Sequence, residues 1–358
     1  MELSSSTKIS KSFPEKEFFT FNNPSVDSVL MGIDKYVDSF AKYGIVVFKD
    51  AYYSEHDVIR ILTKMGSKLG WTPNQPGSDY EKGTATPSSE HSTWKHTVRH
   101  AERISEAISS DRNLASTQII QWHLDGVAAE FQHLAAGWNM QVFTCDPSCG
   151  SSGFLDMEAF LEAVPDKYLS LLKKSKIAHL PIMHSPRVST ESIKIQFMNL
   201  LLEMNDPTWI FDVADYISSY PREAIGVHPY TKNLVLRTDP VRAPWGVQEF
   251  LFSVDGRKPT SDELNLFNEY IAWLEQAIDR TSNEVTYWHH WGPGDFVIPD
   301  LFRMLHGVRG GFQDGERVFN AYWCFPHGTP ADNELRISFE EHNKILADKM
   351  HEKIKGRT

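Results

Sequence analysis

The chain has 358 residues, 41% of them hydrophobic and 12% aromatic, which is enough to bury one large core without crosslinks. A formal charge of −11 with no concentrated Lys/Arg stripe argues against nucleic acid as a partner. Three cysteines (Cys145, Cys149, Cys324) make no disulfide framework, and neither a signal-peptide core nor a membrane-length apolar run occurs, so a soluble, cytoplasmic protein without membrane contact is expected.

Residues 1–22 are polar and Ser/Lys-rich and read as a flexible N-terminal extension to a single domain over 23–358. A first helix carries Val29, Leu30, Ile33, Val37 and Phe40 at helical spacing and stops at Gly44. A second starts from Ser54, carries Val58, Ile61, Leu62, Met65 and Leu69, and stops at Gly70. Between them, Ile45 to Phe48 reads as a buried strand. Residues 73–92 then turn to Pro, Gly, Ser and Thr without a period, as either a surface insertion or a lid over a site.

Short β-rich runs follow at Ile119-Ile120, Met140 to Phe143, Leu234 to Leu236, Phe296 to Ile298 and Val318 to Phe325. Helices are expected over 157–175, from Thr260 with its capping partner Glu263, and over 340–355. The pattern predicts a mainly β, α+β fold: an antiparallel sandwich of jelly-roll (double-stranded β-helix) type with flanking helices.

His123 and Asp125 stand two apart at the end of a predicted strand, so an extended chain puts both on one side, where a single ion can take an imidazole nitrogen and a carboxylate oxygen. Alone, such a pair is expected once by chance among 15 histidines and 47 acidic residues, and a structural role is then the favoured reading. Downstream, Trp291 to Asp295 leads to His306, and an Asp314-Gly315 turn leads to Arg317, which predicts a hairpin with His306 and Arg317 on neighbouring strands. Two histidines and one carboxylate can hold iron(II) on one face and leave the other positions open, while a forked guanidinium suits a carboxylate end-on. Strand alternation from Arg317 places Phe319, Ala321 and Trp323 inward, and sets Gln121 beside His123 and Asp125.

On these residues the sequence resembles the taurine dioxygenase-like branch of the iron(II)/2-oxoglutarate oxygenases, which includes clavaminate synthase. Trp122 to Asp125 is similar to the family's Trp-His-x-Asp, His228 to Leu236 to its His-Pro-x-Thr segment, and Trp291 to Asp295 to its Trp-x-x-Gly-Asp. The eleven-residue step from His306 to Arg317 is the family's spacing to the arginine that holds 2-oxoglutarate. The resemblance implies Fe(II) on His123, Asp125 and His306, 2-oxoglutarate on Arg317, and O2 as oxidant, with decarboxylation to succinate driving oxidation of a small-molecule substrate. It departs at Gly150 to Phe154, where Ser152 stands for the family's cosubstrate-touching threonine. It departs again at Ala321, where taurine dioxygenase has an arginine for sulfonate.

That resemblance implies hydroxylation, desaturation or cyclisation of an amino-acid-like or secondary-metabolite molecule, because Asp125 is present where related halogenases lack the carboxylate. The alternative is a non-catalytic 2-oxoglutarate or small-molecule binder on the same fold. Elsewhere, His96 and His100 could share a helical turn, Asp300 and Arg303 could form a salt bridge, and Arg309 could be solvated or reach the substrate. An oligomer is compatible with the sequence but not readable from it.

Overall fold

The computed structural model describes residues 13–73, 96–99, 119–124, 133–146, 149–179, 221–240, 249–312 and 316–327. Asp125, His100, nearly all of the candidate lid and the closing helix expected over 340–355 lie outside the described residues.

Strand β1 (Thr20–Asn22) runs parallel to β2 (Ile45–Lys49), and Phe19 beside it is fully buried, so this part of the expected extension is built into a sheet instead. The first helix is in fact two. α1 (Val26–Met31), capped by Ser25, ends at Gly32, whose backbone (φ −99°, ψ 27°) leaves the helical region, and α2 (Ile33–Tyr43) resumes there. Gly44 closes α2 in the left-handed conformation at φ 71°, where a side chain would be strained. α3 (Glu55–Leu69) opens on a reciprocal capping box between Ser54 and Asp57. Its apolar stripe, Val58, Ile61, Leu62, Met65 and Leu69, is buried as the periodicity requires.

There follow β3 (Trp71–Pro73), β4 (His96–Arg99), β5 (Ile119–His123), β6 (Ala135–Phe143), β7 (Ser152–Asp156), β8 (Ser175–His179), β9 (Arg222–Glu223), β10 (Ile225–Val227), β11 (Leu234–Leu236) and β12 (Glu249–Val254). The long helix α4 (Ser261–Val285) leads into β13 (Thr286–His289), β14 (Phe296–Pro299), β15 (Met304–Arg309) and β16 (Arg317–Pro326). The helix expected over 157–175 breaks into Met157–Phe160, a 3-10 turn and Asp166–Leu172. Pro165 interrupts it, having no N–H to continue a helical ladder, and Ser175 already starts β8.

One sheet has seven strands in the order β1-β2-β14-β6-β16-β3, with β4 also on β16, and a second has four in the order β13-β7-β15-β5. Their facing sides share one apolar cluster: Ala136, Trp138, Met140, Phe319 and Ala321 from the first, Phe154 and Met304 from the second. A second cluster joins Tyr322 and Cys324 to the buried stripe of α3, and Leu155 to Phe267, Tyr270 and Leu274 of α4. Each large side chain so buried contributes about 1.5–3 kcal/mol. With apolar contacts on both faces, strands such as Ile45 to Phe48 are hydrophobic throughout rather than alternating. Among the described residues no helix is long and apolar enough to cross a membrane.

The expected hairpin is not formed. β15 pairs with β5 and β7, whereas β16 pairs with β3, β4 and β6, so the chain passes from one sheet to the other between Arg309 and Arg317. His306 and Arg317 therefore belong to opposite sheets.

Candidate active site

Strand pairing sets His306 of β15 directly across from His123 of β5, so both side chains leave the same face of the four-stranded sheet. Their rings lie 4.1 Å apart between centroids, tilted by 56°, and Trp138 from the seven-stranded sheet meets the His306 ring edge-on at 5.0 Å. Two imidazoles packed this closely against an aromatic wall are a donor set suited to a shared divalent cation. Among the described residues no group of three His, Cys, Asp or Glu side chains converges, and the expected third ligand, Asp125, lies outside those residues. The two described members of the expected triad are thus brought together.

The strand alternation expected on β5 is broken. The register shifts between His306 and Val308, which pair with His123 and Ile120, so Gln121 and Trp122 together oppose Gly307. At such a bulge the parity count from His123 back to Gln121 no longer holds. On β16 the alternation holds for Phe319 and Ala321, which join the inter-sheet cluster with Trp323 partly buried against it. Ala321 pairs with Trp138, and the indole occupies the wall beside the small side chain.

Arg317 is 2% exposed at the start of β16 and reaches across the sandwich to β7. Its Nε donates to the Gly150 carbonyl at 3.0 Å and its terminal nitrogen to Ser152 Oγ at 2.8 Å. Gly150 sits at φ +62°, and a Cβ there would lie 3.3 Å from the Arg317 stem, so only glycine offers this carbonyl without strain. The guanidinium also lies over the Phe319 ring, 4.9 Å from its centroid. Burial pushes the Arg317 pKa down to about 9, which still leaves the side chain charged at neutral pH.

Ser152 Oγ accepts a second hydrogen bond, from Trp291 Nε1 at 3.0 Å. A hydroxyl has two acceptor lone pairs and one proton, so with both lone pairs engaged its O–H is left to donate to a third group. Ser152 pairs with Val308 and Phe154 with His306, which makes Ser152 the diagonal neighbour of His306 on one face. Such neighbours are about 7–8 Å apart.

The remaining motif residues support the frame. Asp295 accepts from the backbone N–H groups of Asp50 (3.1 Å) and Gly292 (2.7 Å), from His289 Nε2 (3.1 Å) and from the Lys49 ammonium. Burial works to raise the Asp295 pKa, but His289 and Lys49 outweigh it and hold the carboxyl below its ordinary value. Burial pushes His289 down to about 4 against the opposing pull of Asp295, so the ring is neutral, donates from Nε2 and accepts from Tyr287 at Nδ1. His289 is buried while His290 is exposed, the opposite-side arrangement expected of neighbours on a strand.

His228 accepts the Thr231 N–H at Nδ1, which leaves Nε2–H to donate to Asp300 at 2.8 Å. Asp300 also takes the Tyr230 hydroxyl, while Arg303 pairs with Asp156, so the expected Asp300–Arg303 bridge is replaced by two separate buried contacts. Arg309 stacks 4.0 Å from the Trp288 centroid on the strand face opposite to that of His306, rather than toward the site. His96 lies in β4 and not on a helix. The sequence reading missed Trp138, because an aromatic on a strand carries no local mark of what it will face.

The family model of the Taurine catabolism dioxygenase TauD, TfdA family matches residues 7–323, and the chain belongs to that family. It is a dioxygenase of the 2-oxoglutarate-dependent, non-haem iron kind. No curated protein matches it by sequence. Among solved structures it is similar to a taurine dioxygenase from Burkholderia xenovorans (TM-score 0.51, 13% identity, 88% of each chain covered). It is also similar to AAD-2 in complex with Mn(II) and N-oxalylglycine (TM-score 0.50, 13% identity, 88% of this chain and 96% of that one). A third is the PvcB protein from Pseudomonas aeruginosa (TM-score 0.50, 14% identity, 92% and 96% covered). At these identities the likeness is one of fold.

Proposed function

We propose that His123, Asp125 and His306 hold iron(II), that Arg317 and Ser152 hold the far carboxylate of 2-oxoglutarate, and that a small amino-acid-like or secondary-metabolite molecule is hydroxylated, desaturated or cyclised beside them. The two facing sheets are read as a jelly-roll core. The observation that carries the reading is the diagonal step from His306 to the Ser152–Arg317 pair. One five-carbon keto acid can chelate a metal at one end of that step and meet the guanidinium at the other. The Mn(II) and N-oxalylglycine of the AAD-2 complex, which stand in for iron(II) and 2-oxoglutarate, support this pairing of ligands.

The chain's own residues do the positioning. Arg317, already desolvated, loses little further hydration when a carboxylate docks, and an opposite charge returns what burial takes from it. Ser152 supplies an O–H donor from a hydroxyl oriented by Trp291 and Arg317, so the cosubstrate's orientation is set before it binds. Trp138, Phe154 and Phe319 wall the space with apolar surface that excludes water from the reacting carbon. Iron(II), when bound, supplies the redox chemistry that couples 2-oxoglutarate decarboxylation to substrate oxidation.

The test is succinate formation from 2-oxoglutarate, with iron(II) and ascorbate, across a library of amino acids and small metabolites. Substrate-dependent succinate is the expected result. Tight 2-oxoglutarate binding with no succinate in any reaction would instead make the chain a binding protein on this fold.

A further inference from the structure

β5 ends at His123, so the next backbone N–H, that of Leu124, leaves the strand ladder and needs an acceptor of its own. Leu124 is 3% exposed, out of reach of bulk water, and its N–H donates to Asp239 Oδ2 at 2.9 Å. Leu124 is also the single residue between His123 and Asp125. The carboxylate that holds it therefore anchors the peptide that follows His123, one residue before Asp125 in the sequence.

Asp239, itself 3% exposed, is clamped from several sides. Its own backbone N–H is hydrogen-bonded to Glu249, and Glu249 is paired with Arg222. Arg222 Nε in turn donates to the Arg237 carbonyl at 3.2 Å, two residues before Asp239. Thr238, next in the chain, is hydrogen-bonded to the Tyr270 hydroxyl of α4. The segment that follows β11 and the His228 motif is thus tied to a helix and to a buried ion pair, and it presents one carboxylate to the metal motif. A buried carboxylate that accepts a backbone amide is a costly way merely to satisfy one N–H, for which a neutral oxygen suffices.

We propose that Asp239 is a positioning residue for the iron site: by gripping the Leu124 N–H it sets the separation and aim of the two side chains on either side. The inference rests on the metal-site reading above and adds to it a residue that touches no ligand. Outer partners of this kind typically change metal affinity by about 10- to 100-fold when removed.

The experiment is Mn(II) titration of the apo full-length chain for wild type, Asp239→Ala, Asp239→Asn and His306→Ala, with thermal melting of each apo protein. Asp239→Ala is expected to bind Mn(II) about 10- to 100-fold more weakly while still melting cooperatively. Asp239→Asn keeps an oxygen for the Leu124 N–H and is expected to stay within about threefold of wild type, since the step is one of placement. Wild-type affinity in Asp239→Ala beside a loss in His306→Ala overturns the role of Asp239 and leaves the metal site standing. Wild-type affinity in His306→Ala overturns the metal site, and this inference with it. Equal loss in the Asn and Ala variants overturns placement in favour of charge. If Asp239→Ala does not fold, Asp239→Glu, which moves the carboxylate by one methylene, is read in its place: weaker Mn(II) binding with cooperative melting supports the role, and wild-type affinity overturns it.

Discussion

Ser152→Ala removes one oxygen atom, and the structure states what that atom does. Ser152 Oγ is the acceptor for Arg317 at 2.8 Å and for Trp291 Nε1 at 3.0 Å, in a place where Arg317 is 2% and Trp291 5% exposed. Neither donor can turn to bulk water, and the space left by one oxygen is too small for a water molecule to replace it. A buried donor left without its acceptor costs about 1–3 kcal/mol, with the charged one toward the upper end. Allowing for partial relaxation, the variant is expected to lose about 2–4 kcal/mol of stability. It should also bind 2-oxoglutarate more weakly, because the O–H proposed to meet the carboxylate is gone. Urea denaturation and a 2-oxoglutarate titration of the same preparation measure both losses. A denaturation midpoint and affinity equal to wild type would refute the reasoning, since an unengaged surface serine behaves that way.

Three further outcomes are expected. Arg317→Ala weakens 2-oxoglutarate binding by about 2–5 kcal/mol and leaves iron affinity nearly unchanged, as an anaerobic titration of the metal-loaded variant would show. Stability falls as pH is lowered from about 6.5 to 4, because folded His289, with its pKa near 4, stays neutral while the unfolded chain takes up the proton. The gap is worth about 3 kcal/mol, and His289→Gln should flatten the slope of melting temperature against pH in that window. Taurine is not turned over, because Ala321 puts a methyl group against Trp138 where sulfonate would need a cation, and Ala321→Leu reduces activity on the true substrate by overpacking that wall. Efficient taurine hydroxylation would contradict this.

What the sequence disclosed, and what it hid, divides along a physical line. Helix ends were legible because their signals are local: α3 starts from Ser54 and the Thr260–Glu263 box forms as read, while Gly44 and Gly70 end their helices where expected, both in the left-handed conformation. The facing of His123 and His306 was legible only through the resemblance of their two motifs to the family's, since nothing local says that β15 will lie beside β5. The same gap misplaced Arg317. A turn signal fixes that the chain reverses, not which sheet the returning strand joins, and here the strand crosses to the other sheet and grips Ser152 from the far side. The breaks at Gly32 and Pro165 were passed over because the apolar pattern continues across them, and the β5 bulge is a register shift that periodicity does not record. Partners of buried charges were the least readable: Asp300 takes His228 and Tyr230 from a distant segment and only the backbone N–H of its neighbour Arg303, whose guanidinium goes to Asp156.

The central claim is that one site holds iron on the facing histidines and 2-oxoglutarate between that iron and Arg317. Anaerobic addition of 2-oxoglutarate to the iron(II)-loaded protein tests it most directly, because chelation of iron(II) by a keto acid produces a visible metal-to-ligand charge-transfer absorption. The account predicts that the band saturates in the wild type, is lost in His306→Ala, and in Arg317→Ala appears only at much higher 2-oxoglutarate. A wild-type chain that binds both iron(II) and 2-oxoglutarate yet develops no such band would contradict it.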